Sequence, residues 1–207
     1  MRPLQLSPAQ IDVLREMGNI GASHAATALS KLLSSTINMK MPSAAVLPLA
    51  EIAEAMGCPD KLMAGAYIRI DGDFAGNFLF LMDLESAGRL LDTLVAASTA
   101  DKVEWSELEL STFGEVANIL CASYMTAVTN LTHLNVHTSV PAIAVDMMGA
   151  MLDIALLDSA AQATEALLLQ TEIQRGTEDL DAHLVLLPDP GAMAVLLRAV
   201  GCWDRGE

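Results

Sequence analysis

Basic residues are scarce in this 207-residue chain: 11 Lys+Arg stand against 26 Asp+Glu, a net charge of −15 and a pI near 4.4. A phosphate backbone needs a basic face, so a nucleic-acid partner is not expected. Docking on anionic lipid fails on the same ground. Cysteine is equally sparse. Cys58, Cys121 and Cys202 lie far apart with no CxxC pair, which gives neither a disulfide framework nor a zinc knuckle and fits a reducing compartment. No apolar run approaches the 18 or so residues of a membrane span. The opening MRPLQLSPAQ has no apolar core or small-residue cleavage site of a secretory leader. A cytoplasmic protein is the expectation. Disorder is excluded by what is present, because 53% of residues are hydrophobic and mean hydropathy is +0.41.

The chain repeats itself. Residues 13–46 align without a gap on residues 112–145, at an offset of 99, with nine of 34 positions identical, among them Glu16/Glu115, Asn19/Asn118 and Pro42/Pro141. The register extends upstream to two capping boxes, Ser7 to Gln10 and Ser106 to Glu109. In each, a serine hydroxyl accepts from the N3 amide and the N3 side chain reaches back. Pro8 stands at N1, where a missing N–H costs nothing. LMAGAYIRI and FAGNFLFLM read as two strands around a tight DGD turn; EALLLQTEI and LDAHLVLL read likewise around a longer loop. Short helices then open at Asp83 and Asp189, where the offset has grown to 106, so about seven extra residues belong in 147–178. Each half is expected to run long helix, strand, strand hairpin, short helix. Together they predict a single α+β domain over 1–207, with pseudo-twofold halves 1–98 and 99–207, antiparallel pairing and a link at 97–105.

On a helical wheel the first long helix places Glu16, Asn19, Ser23, Thr27 and Ser30 within about 60° of Asp12. Leu14, Met17, Gly21, Ala25, Ala28 and Leu32 lie opposite, as an amphipathic core stripe. Gly18 and Gly21 each cost about 1 kcal/mol of helix propensity relative to Ala, so close packing on the sheet is expected there. The second helix carries Ser111, Glu115 and Asn118 on the matching stripe. A Glu and an Asn at i, i+3 project side by side. They make a poor nucleophile set, lack the acid and base of a glycosidase pair, and supply too few ligands for a metal. A carboxylate can pair with a partner's cation, and a carboxamide can orient a water for attack, as the glutamine of GTPases does. One such pair is ordinarily a solvated helix face. Two, in register with two prolines and two capping boxes, ask for a role.

The motif Asp/Ser-x3-Glu-x2-Asn-x22-Pro occurs as Asp12-Glu16-Asn19-Pro42 and again as Ser111-Glu115-Asn118-Pro141. In this the chain resembles the CheC/CheX/FliY family of CheY-phosphate phosphatases, over nearly its whole length. The resemblance implies a six-stranded antiparallel sheet with two pseudo-symmetric motif helices. It implies hydrolysis of the aspartyl phosphate of the response regulator CheY: Asn19 and Asn118 would line up the attacking water, and Glu16 and Glu115 would dock on a basic residue of the regulator. Asp12 and Ser111 would support the motif, and Pro42 and Pro141 would shape the return to the sheet. No cofactor is expected in this chain, because the regulator brings its own Mg²⁺. Two intact motifs favour the CheC branch and a monomer over CheX, which has one per subunit. The resemblance also implies binding of CheD, a receptor deamidase, for which AVDMMGAMLD, with Asp146 and exposed Met147 and Met148, is the candidate surface. A non-catalytic adaptor for such a deamidase is the alternative function. His24, His133, His137 and the Asp71-Gly72-Asp73 turn are read as surface features without a metal role, and Cys121 as a small core residue.

Overall fold

The computed structural model describes residues 6–57, 59–92, 94–95, 104–158 and 165–201. The expected link at 97–105 lies for the most part outside the described residues. Helix α1 (Pro8–Leu32) and helix α4 (Glu107–Thr132) begin at the two serines, and both capping boxes form. Ser7 N donates to Gln10 Oε1 at 2.8 Å, and Ser106 N to Glu109 Oε2 at 2.5 Å. α1 is followed by β1 (Ile37–Pro48), α2 (Leu49–Ala55), β2 (Leu62–Gly72), β3 (Gly76–Asp83) and α3 (Leu84–Leu91). α4 is followed by β4 (Val136–Thr138), β5 (Ala142–Met147), α5 (Met148–Asp158), β6 (Glu165–Arg175), β7 (Glu178–Pro188) and α6 (Ala192–Ala199).

One antiparallel sheet runs β1-β6-β7-β3-β2-β4, with β5 also paired to β2. Seven strands therefore occupy six places, because β4 and β5 are one edge strand broken at Ser139–Pro141. β1, the opposite edge, shifts register between Lys40 and Ser43, on either side of Pro42. Both interruptions have one cause: proline offers no N–H to a ladder, and is tolerated at an edge or a bulge. At the centre, β3 and β7 pair across the two halves, and Leu79 faces Val185. These two are 106 apart, the offset of Asp83 from Asp189, so the pseudo-twofold axis passes through this pair.

The sheet is covered on both sides. Phe78, Phe80 and Met82 point to the face packed by α1, α4, α3 and α6, while Leu79 and Leu81 point to the face under α2 and α5. This explains why FLFLM is apolar without alternation: a strand buried on both faces has no solvent side. Three expectations need correction. α2 and α5 stand between the first strand and the hairpin of each half, where no helix was expected; the seven residues of α2 are too few to show a period, and α5 is mostly apolar without one. α5 has 11 residues against seven in α2, which accounts for part of the extra length. The β6–β7 turn is the tight one, with only Gly176 and Thr177 between the strands and Gly176 at φ +62. On α1, Ala28 and Leu32 are only half-buried, while Gly18, Ala22 and Leu29 join the buried stripe.

Candidate functional site

The polar stripes emerge as the spacing predicts. Asp12, Glu16, Ser111 and Glu115 are exposed, and Asn19 and Asn118 are half-buried at the edge of the core. Within each motif the carboxylate is exposed while the carboxamide, one turn on, is half-buried. Asp12 does not touch Glu16 or Asn19; its Oδ1 accepts from Arg15 Nη2 at 2.9 Å. Asn19 Oδ1 accepts from the backbone N–H of Met41 at 3.1 Å. Helix and return strand are thereby tied at the residue before Pro42. The bond takes one lone pair of the amide oxygen and turns the carboxamide so that its NH₂ is the group left for an incoming molecule.

The second copy differs. Among the described residues, the Asn118 carboxamide makes no hydrogen bond to Val140, the counterpart of Met41. The neighbouring position differs as well. A Cβ at Gly18 would fall 2.1 Å from the Met41 sulfur, so the absent side chain is the space that the thioether fills. The counterpart of Gly18 is Ala117, which is fully buried. At that position a methyl replaces the glycine hydrogen, and Val140 is 86% exposed. The sequence contained this signal, as Gly against Ala and Met against Val at one offset, but only the packing gives it meaning. Gly21 also departs from expectation. A Cβ there would meet the Tyr124 ring at 2.7 Å and the Tyr124 Cα at 3.0 Å. It brings α1 against α4, not against the sheet.

Asp146 is exposed, and its Oδ1 accepts from the next amide, Met147 N, at 2.7 Å. Met147 is exposed as expected, but Met148 is buried, because it begins α5 and turns under the sheet. Beside them lies an apolar hollow of about 240 Å³ lined by Gly65, Tyr67, Leu81, Ala144, Met151 and Ile154. His24, His133 and His137 are exposed, and no cluster of three or more His, Cys, Asp or Glu able to hold a metal occurs among the described residues. No helix among them is long and apolar enough to cross a membrane. Cys121 is fully buried, which pushes its thiol up to about 12.

One polar cluster escaped the sequence reading. Arg69 forks onto both oxygens of Asp189, at 3.0 and 2.5 Å, and its Nη1 also donates to Asn77, which is fully buried and accepts from the Tyr67 hydroxyl. The Asp189 hydrogen bond raises the guanidinium further above its ordinary value, against a smaller opposing effect of burial. This cluster ties the end of β7 to β2 and β3. An Asn inside GNFLFLM was its signal, since a buried carboxamide requires partners.

A CheC-like family profile matches residues 10–44 and 108–145, and each segment contains one whole motif. Over 196 residues the chain is 34% identical to the CheY-P phosphatase CheC of Bacillus subtilis strain 168, spanning 93% of this chain and 94% of that protein. The chain belongs to the CheC-like family. It is also 28% identical over 138 residues to the flagellar motor switch phosphatase FliY of the same organism, across 66% of this chain but only 35% of that longer protein. In structure the CheC-like fold seen here is similar to Thermotoga maritima FliY, with a TM-score of 0.76 at 17% identity, covering 96% of this chain and 98% of that one. A more distant likeness is to a chain of the CheX–CheY–BeF3–Mg complex from Borrelia burgdorferi, with a TM-score of 0.51 at 17% identity, covering 82% and 96%.

Proposed function

We propose that this chain is a phosphatase acting on the aspartyl phosphate of a CheY-type response regulator. The observation that carries this reading is that both Glu–Asn pairs stand at the solvent side of the long helices, in a chain 34% identical to a CheY-P phosphatase. The acyl phosphate belongs to the partner, and so does the Mg²⁺ that neutralises it. The chain contributes position. Glu16 or Glu115 pairs with a lysine beside the phosphorylated aspartate and fixes the approach. Asn19 or Asn118 enters the pocket and holds a water in line with the phosphorus. The water oxygen attacks phosphorus, the bond from phosphorus to the aspartyl oxygen breaks, the carboxylate leaves with that electron pair, and the water proton passes to phosphate or solvent. Orientation of this kind is worth several powers of ten without a protein nucleophile. Asp12 keeps Arg15 neutralised beside Glu16, and Pro42 and Pro141 aim the return strands. With both motifs in one chain, a monomer suffices, and it acts in the cytoplasm where regulators are phosphorylated.

The test is phosphate release from a phosphorylated receiver domain with Mg²⁺ present. Native chain at catalytic concentration accelerates release over many turnovers. Replacing Asn19 and Asn118 by Ala together abolishes the acceleration and leaves the fold intact. Full activity in the double variant would discard the mechanism.

A second reading rests on the apolar hollow beside α5, lined in part by exposed Ile154, with exposed Leu62 and Met147 cross-strand neighbours on β2 and β5 next to Asp146. A CheD-type deamidase docked there would make the chain an adaptor. Stoichiometric rather than catalytic dependence in the same assay would favour that role, and Asp146→Lys would then weaken capture of the deamidase.

A further inference from the structure

Large exposed aliphatic side chains fall in two places besides the hollow near α5. Leu131 ends α4 alone, whereas Leu108 and Val140 bracket the second motif. Leu108 is 62% exposed in the first turn of α4. It precedes Glu115 by seven residues, so it stands on the same face, about 10 Å back along the axis. Val140 is placed by its neighbour. A Cβ at Gly114 would lie 3.5 Å from Ile143, and the edge strand returns along α4 from its C-terminal end. Val140 lies three residues earlier, in the break between β4 and β5, and so stands toward the C-terminal end of α4 from Gly114. Leu108 thus lies before Glu115 and Asn118 along α4, and Val140 lies on the returning edge beside the helix. The first motif has no such pair. Position 9 is Ala, and Met41 is tucked beneath Gly18, only 2% exposed.

An exposed leucine alone means little. Two large aliphatic groups on either side of a polar pair make a different pattern, the apolar anchors and polar centre of a docking face. We propose that Leu108 and Val140 are the specificity-setting contacts of the second site, buried against apolar surface flanking the phosphorylation pocket of the receiver domain when Asn118 enters it. This rests on the phosphatase reading above. The two sites then differ in kind. The first presents a carboxamide held by its own backbone but has little apolar grip, and the second holds its partner by Leu108 and Val140 around a carboxamide without that tie. The contacts persist from ground state to transition state, so they act on KM and leave kcat nearly unchanged.

The experiment uses the full chain carrying Asn19→Ala, so that turnover reports the second site alone. In that background Leu108→Ala and Val140→Ser are each expected to raise KM for the phosphorylated receiver domain roughly tenfold, with kcat within about twofold. Both positions are exposed, and thermal unfolding checks that the fold is retained. Binding of the receiver domain activated with beryllofluoride and Mg²⁺, measured by calorimetry, reads the contact without turnover and should weaken by the same factor. Unchanged KM and unchanged binding in both variants overturn the proposal while leaving the phosphatase reading in place. A native chain that binds the activated receiver but releases no phosphate overturns the phosphatase reading, and the binding comparison still decides the contacts. A native chain that binds no activated receiver overturns both.

Discussion

The amide of Met41 donates to the carboxamide oxygen of Asn19 at 3.1 Å, while the sulfur of the same methionine fills the space left by glycine at position 18. Backbone and side chain of one residue thus serve two neighbours on α1. Asn118 lacks both halves of this arrangement: position 117 is alanine, and Val140 is exposed. A consequence for stability follows. Asn19→Ala leaves a part-buried N–H without its acceptor and should cost about 1 kcal/mol. Asn118→Ala removes no bond among the described residues and should stay within about 0.5 kcal/mol of native. Urea unfolding of the two variants makes the comparison, and equal losses would contradict the difference between the sites.

Gly18→Ala tests the cause of that difference. The new methyl collides with the flexible end of Met41, not with backbone. Alanine also returns about 1 kcal/mol of helix propensity. The net change in stability should therefore lie within about 1 kcal/mol, while the Met41 side chain leaves its place and the tie to Asn19 loosens. Side-chain amide resonances of Asn19 should move toward those of Asn118. Unchanged resonances would show that the thioether does not position the carboxamide.

Much of this was legible in the sequence. The offset of 99 gave the twin helices, their caps and both Glu–Asn pairs, because caps and helical faces are local and depend on spacing alone. The edge prolines could be read because a missing N–H has the same effect in any fold. The differences between the copies could not. Whether Gly18 faces Met41 or Gly21 faces Tyr124 depends on which elements come together, and spacing along one helix does not carry that. α2 was hidden because seven residues are too few to show a helical period, and α5 because a mostly apolar segment looks alike whether it forms strand or helix. Arg69 went unread because its partner Asp189 lies more than a hundred residues away.

Gly21→Ala should behave unlike Gly18→Ala. Its methyl meets the Cα of Tyr124 at 3.0 Å as well as the ring, and a helix backbone does not step aside as a thioether does. α1 and α4 must separate, which opens the packing around Phe78 and Tyr124, whose rings lie 6.2 Å apart. A net loss of about 1–3 kcal/mol is expected after the gain in helix propensity. Urea midpoints of the two glycine variants, measured side by side, check the ranking. A Gly21→Ala protein as stable as Gly18→Ala would mean that the helix pair is not tightly seated.

Cys121 sets the response to alkali. Burial pushes its thiol from an ordinary value of 9.0 up to about 12, and burial likewise raises the Tyr124 phenol, opposed in part by Thr171. For such an acid the unfolded chain loses its proton first as pH rises. Stability is therefore unaffected by the thiol below about pH 9 and falls above it, by up to about 1.4 kcal/mol per pH unit until the folded group also ionises. Urea unfolding at pH 7, 9 and 10.5 should show the decline, and Cys121→Ala should make it shallower, whatever the variant's stability at pH 7. The same burial keeps the thiol from alkylating reagents, so peptide mapping should find Cys121 modified only once the chain is unfolded. Rapid modification of Cys121 in the native protein at pH 8 would show that α4 opens locally, and the packing that carries Asn118 on its exposed edge would then be looser than the buried environment of Cys121 requires.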